Sequence, residues 1–256
     1  MSLVGTLVET IAHGDVHELR LSRPPVNALD PQVCRALVEA IDASVSAGAR
    51  GLVLAGGPKV FSAGLDVPHL LSLGDDRAAL TAAWGAFFDA AQALANSPVP
   101  VVAAIAGHAP AGGCVWALCC DYRVMACGPY RIGLNETQVG LVAPEGIQHL
   151  MRRVVGAYRA ERLLIAGEMV DAETALAIGL VDELTDIDHV SARARAWLEP
   201  LLQLPRKPML ETRAIARADV IAALQPERIR LDHFVEAWSD PDTQAGLRAL
   251  VARLGK

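Results

Sequence analysis

The chain has 256 residues, of which 52% are hydrophobic, 20% charged and 4% aromatic. That is enough apolar material to bury a full core, so disorder is excluded for most of its length. The formal net charge is -6, the isoelectric point is about 5.6 and no Lys/Arg run reaches three residues, which argues against a nucleic-acid partner.

In chain order, Val16–Leu21 reads as a strand that ends at the turn-forming Ser22-Arg23-Pro24-Pro25. Asp30-Pro31 opens a helix, because Asp is a good N-cap and Pro suits the first helical position. Val33, Leu37, Val38 and Ile41 keep its apolar spacing, and Gly48 stops it. Leu52-Val53-Leu54 is a short buried strand running into Gly56-Gly57-Pro58, and a helix follows from about Asp75 to Ala95. Val99–Ile105 is β-branched and apolar without alternation, the pattern of a strand covered on both faces. Gly107–Gly113 is a loop, Gly112 to Cys120 is helical, and Tyr122–Met125 and Arg131–Gly133 are further strands. From about Pro144 the pattern is helical, interrupted at Gly156, Gly167 and Gly179–Leu184.

Strands and helices alternate to about residue 185, which predicts an α/β core over 1–186 and a helical region over 187–256. LVLAGG (Leu52–Gly57) and AIAGHAPAGG (Ala104–Gly113) are alike, each a buried strand emptying into a glycine-bearing loop, which hints at a repeated unit. The longest apolar stretch, Pro98–Ala106, is too short for a membrane span. The segment MSLVGTLVET has neither secretory nor transit character, and the five cysteines are an odd set without CxxC spacing. Both observations point to reduced thiols and a cytoplasmic location.

Dinucleotide, P-loop, zincin and nucleophile-elbow motifs are all missing. His13 and His17 have Gly14 between them and no third ligand near, so a turn and a strand fit them better than a metal site. Two loops, FSAGLDV (Phe61–Val67) and GHAPAGG (Gly107–Gly113), could each be a tight turn. Side by side they could instead aim two backbone N–H groups at one oxygen. In IGLNETQVGLVAP (Ile132–Pro144), Glu136 stands among Leu134, Val139, Leu141 and Val142. Lost hydration there would raise its pKa toward that of a general base, whereas an exposed Glu in a first helical turn, with Asn135 as cap, fits equally well.

FSAGLDV, then GHAPAGGCVWALCCDYRVMA, then IGLNETQVGLVAPEG resembles the crotonase (enoyl-CoA hydratase/isomerase) superfamily, and the NETQ segment resembles its mitochondrial-type Δ3,Δ2-enoyl-CoA isomerase branch. The resemblance runs from RPPVNAL (Arg23–Leu29) into the C-terminal helices. It implies a spiral of ββα repeats followed by a helical trimerisation region, and an acyl-CoA thioester as substrate. Glu136 would be the catalytic base, and the N–H groups of Leu65 and Gly112 would hold the thioester oxygen. Ala63, Gly64, Asp66 and Val67 would line the CoA and thioester end, with Asn135 against the substrate.

Val115 stands where hydratases of this superfamily usually carry a second glutamate, and Pro144 stands where a related dienoyl-CoA isomerase carries its second acid. A double-bond shift needs one base, so these positions favour isomerisation of a 3-enoyl-CoA in unsaturated fatty acid breakdown, without metal or redox cofactor. Glu145, next to Pro144, is the residue that could still supply a second acid. Hydration, dienoyl isomerisation and a non-catalytic acyl-CoA-binding trimer are the alternatives. Trp84, Phe87, Phe88 and Trp116 are candidates for an acyl pocket, with Phe234 contributed by the tail or a neighbouring subunit. Arg23 and Lys59 are candidates for the CoA phosphates. The tail carries apolar faces at Val220, Ile221 and Leu224, at Leu231, Phe234, Val235 and Trp238, and at Leu247, Leu250, Val251 and Leu254. Left bare they would aggregate; packing on the α/β core covers part of them and self-association covers the rest, which together with the resemblance predicts a homotrimer or a pair of trimers.

Overall fold

A computed structural model describes residues 6–253; the start of the segment read above for signal character (residues 1–5) and Leu254 lie outside the described residues. Among the described residues, nine strands form two sheets. The larger sheet begins with a hairpin of β1 (Val8–His13) and β2 (Val16–Leu21), in which His13 lies opposite Val16 and His17 opposite Ala12. It continues in parallel through β3 (Gly51–Ala55), β4 (Val101–Ile105), β6 (Tyr122–Ala126) and β9 (Glu183–Thr185). The smaller sheet pairs β5 (Ala109–Pro110), β7 (Arg131–Gly133) and β8 (Val170–Asp171).

Every residue of β3 and β4 is buried, as their unbroken apolar runs require. Successive side chains alternate between two cores. Leu52, Leu54, Val101, Ala103 and Ile105 join the main core, toward α1 (Pro31–Ser46) and α3 (Arg77–Ala95). Val53, Ala55, Val102 and Ala104 face Val190, Ala194 and Leu198 of a helix from the C-terminal third, which thereby covers the back of the sheet.

The repeat hinted at by the two glycine-bearing loops is a turn of a spiral. Leu52 pairs with Val101, and a few residues later Val60 bridges His108 in the second layer. β4, β5 and α4 (Gly112–Cys119) form the next turn, and β6 and β7 begin another. The architecture is the expected ββα spiral.

Asp30 caps α1 by accepting from the N–H groups of Gln32 and Val33. The helix expected from Asp75 starts at Arg77, capped by Asp76, and a short α2 (Val67–Ser72) precedes it, capped by Asp66. Helices α5 (Glu145–Val155), α6 (Ala157–Ala166) and α7 (Ala172–Ala177) follow the second layer. The C-terminal region holds α8 (Val190–Leu202), α9 (Arg206–Ala216), α10 (Ala218–Ala223), α11 (Pro226–Ile229), α12 (Leu231–Trp238) and α13 (Pro241–Arg253).

This region folds back on its own chain. Val220, Leu224, Phe234, Val235, Trp238 and Leu247 are buried and Leu250 packs on the same core. Packing on the same chain, expected to cover part of these faces, covers most of them, through α3, α5 and the turn before α5.

Candidate active site

Two loops meet at the end of the spiral. The first follows β3 and is held by paired backbone bonds: Leu29 N–H donates to Gly64 O at 2.8 Å and Asp66 N–H to Leu29 O at 3.2 Å. Gly64 has φ +77°, and a Cβ there would lie 3.0 Å from the backbone N of Gly112. A side chain is thus excluded twice, by the left-handed conformation and by the opposite loop. Gly112 heads α4, after Ala111 at φ +44° and ψ -118°. A non-glycine residue in that conformation costs about 1–3 kcal/mol, and such strain collects where a backbone group must be aimed. Among the described residues, the N–H groups of Leu65 and Gly112 donate to no protein acceptor. They lie in abutting loops, one of them at the positive end of a helix, where an anionic oxygen would be stabilised.

Glu136 begins a single 3-10 turn, Glu136–Val139, after Asn135. Asn135 occupies the cap position but makes no side-chain capping bond. The turn is fixed by its neighbours in sequence. Thr137 Oγ1 donates to Leu164 O and Gln138 Nε2 to Ala166 O, both at 3.3 Å, so these side chains satisfy carbonyls at the end of α6. On the other side Thr243 Oγ1 donates to Gly140 O at 2.7 Å. A Cβ on Gly246 would lie 2.8 Å from Val139 O, so α13 sits directly against the turn. Glu136 Oε2 is buried and has no hydrogen-bond partner. Desolvation pushes its carboxyl from the ordinary 4.5 up to about 7, opposed only by its own backbone N–H.

These groups line one cavity of about 250 Å³. Of the residues named from sequence, Ala63, Leu65, Asp66, Val67, Gly112, Asn135, Glu136, Trp84, Phe87, Phe88 and Phe234 line it, with Phe234 reaching it from the same chain. Gly64 and Trp116 do not. Gly64 instead lets the two loops abut. Trp116 is fully buried and stacks behind Phe87, at 6.1 Å between ring centroids.

Asp66 and Arg23 have partners within the chain. Asp66 lines the cavity but is already engaged: it accepts from His69 N–H as the cap of α2 and pairs with Arg23 at 2.6 Å. Arg23 also pairs with Asp30 at 3.2 Å and donates to Ala28 O, so it ties the early loops together. Lys59 remains exposed after β3. Val115 and Pro144 both line the cavity, whereas Glu145 lies outside the lining, exposed on α5 beside His149 and Arg228. The sequence reading also missed Trp238 and Leu250 as cavity wall, although it placed both on apolar faces of the tail.

The site thus presents an unpaired carboxylate among apolar groups, two free backbone donors and an aromatic-walled cavity. Residues 12–254 match the profile of the enoyl-CoA hydratase/isomerase family. Human mitochondrial enoyl-CoA delta isomerase 1 is 33% identical over 97% of this chain and 83% of its own length. A probable enoyl-CoA hydratase of Mycobacterium avium is 38% identical over 82% of this chain and 79% of its own. The crystal structure of human mitochondrial delta3-delta2-enoyl-CoA isomerase superposes with a TM-score of 0.91 at 31% identity, over 97% of this chain and 98% of that one. The chain belongs to the enoyl-CoA hydratase/isomerase family and has the crotonase fold.

Proposed function

We propose that this protein is a Δ3,Δ2-enoyl-CoA isomerase acting on 3-enoyl-CoA thioesters, cis or trans. One observation carries the reading. The cavity lining holds two carboxylates, and Asp66 is engaged by Arg23 and α2, which leaves Glu136 alone. Val115 and Pro144, where the resemblance places second acids in related reactions, offer only hydrocarbon to the cavity. One base suffices to move a double bond. Hydration must activate water at one carbon and protonate its neighbour.

In the proposed mechanism, Glu136 takes a proton from C2 and the C–H pair becomes the C1–C2 π bond of a dienolate. The carbonyl π pair moves onto oxygen, where the N–H groups of Leu65 and Gly112 hold it, each worth about 3 kcal/mol. The neutral acid then protonates C4, the C2–C3 double bond forms and the carbonyl returns. Proton and electrons balance within substrate and Glu136. The reading calls for no metal or redox cofactor, and CoA enters as part of the substrate. Incubation with trans-3-hexenoyl-CoA should raise conjugated enoyl absorbance; no rise at any enzyme concentration would refute the assignment.

Thr243 is a positioning residue in this reading. Thr243→Val removes the donor to Gly140 O and loosens the turn that carries Glu136. We expect kcat to fall about 10- to 100-fold, as small misplacements of a catalytic group do. Affinity for a saturated acyl-CoA should hold, and Thr243→Ser should restore the rate. Equal loss in the Ser and Val variants would contradict the role.

For the assembly, the proposal is a homotrimer or a dimer of trimers. It is supported by the resemblance and by α9, which buries none of its residues and leaves Ile215 79% exposed. Sedimentation equilibrium at micromolar protein checks it, and a fully active 27.1 kDa species would refute it.

A further inference from the structure

One wall of the cavity is made of rings that hold one another. Trp84 meets Phe234 edge to face at 4.4 Å between centroids and Trp238 at 5.9 Å, and Phe87 meets Phe88 at 5.2 Å. Trp84, Phe87 and Phe88 come from α3, whereas Phe234 and Trp238 come from α12. All five are buried and all five line the cavity. The wall is therefore a seam between two packed helices, and each ring that would swing aside to lengthen the cavity is blocked by another. Close-packed interiors of this kind resist gradual deformation.

The size of the space sets the substrate. A cavity of about 150 Å³ takes a benzene ring, six carbons, so one of about 250 Å³ takes roughly ten. The thioester carbon and the three carbons handled by Glu136 use the first four, and the rest runs along the aromatic seam. We propose that the site is built for medium-chain acyl groups of about ten carbons, with Phe234 and Trp238 as the stop that excludes long ones. The proposal rests on the acyl-CoA reading of the cavity and adds the limit on the chain.

The test is a ladder of saturated acyl-CoAs, from butanoyl through hexanoyl, octanoyl, decanoyl and dodecanoyl to hexadecanoyl, titrated by calorimetry against the full-length protein with free CoA as reference. Binding of these probes needs no turnover, so the outcome is independent of which reaction the enzyme performs. Each added methylene that stays inside should tighten binding about fourfold. The gain should stop near decanoyl-CoA and reverse for hexadecanoyl-CoA. Phe234→Ala should move the break to longer chains. Phe234→Leu, which keeps more of the packing, should move it less and covers the case in which the alanine variant does not fold. Affinity that keeps rising through hexadecanoyl-CoA would overturn the length limit alone. An unmoved break in a folded Phe234 variant would overturn the stop. No acyl-CoA binding beyond that of free CoA would overturn the acyl-CoA reading with it.

Discussion

Glu136→Gln should lower isomerisation by about 10²–10⁴-fold, the usual cost of losing a general base, while acyl-CoA affinity stays within a few-fold. Gln keeps the shape and loses the proton acceptor. Retention of more than about a tenth of the wild-type rate would end the role assigned to Glu136. The same substitution should change stability with a defined sign. Burial raises the carboxyl from 4.5 to about 7, so between those pH values the native state binds more proton than the unfolded chain. Stability of the wild type therefore falls as pH rises through that window and levels off above 7. Above pH 7 the penalty is at most about 3 kcal/mol, and the Gln variant is free of it. Denaturant unfolding at pH 8 should show the variant to be more stable than wild type, and at pH 5 the advantage should shrink. For the wild-type enzyme kcat/KM should rise with pH through about 7, because the base acts only when ionised.

Gly64→Ala attacks the other half of the chemistry. The residue must adopt φ +77°, and its new methyl would lie 3.0 Å from the Gly112 nitrogen and 3.2 Å from Ala111 Cβ. The two loops must therefore move apart, which displaces their N–H groups from each other. A loss of about 10²–10³-fold in kcat is expected, the range for removing an oxyanion donor. The damage should appear in kcat more than in KM, since the contact strengthens as charge develops on oxygen. An alanine variant with normal kcat would show that these N–H groups do not hold the developing charge.

Much of the scaffold was legible in the sequence because its signals are local. Asp30-Pro31 announced α1, and the unbroken apolar runs of β3 and β4 announced strands covered on both faces. β1 was missed because Thr10 and Ile11 sit in a half-exposed edge strand without clean alternation. β5 and β8 are two residues each, too short for any periodicity, and exist only through pairing with β7. Glu136 and the two loops stood out by composition and by resemblance, but what holds them did not. Thr243 reaches Gly140 across 103 residues, and no local pattern encodes that bond. Trp116 shows the converse error. It has the right residue type near the right motif, yet it is packed behind Phe87.

The central claim is that a single carboxylate in this cavity moves a double bond and does not add water. The most direct test compares two rates in one preparation: formation of conjugated enoyl-CoA from trans-3-hexenoyl-CoA, and loss of conjugation as crotonyl-CoA is hydrated. The account predicts that isomerisation dominates by orders of magnitude, because Val115 and Pro144 give the cavity no second acid. Hydration of crotonyl-CoA at a rate matching isomerisation would contradict it.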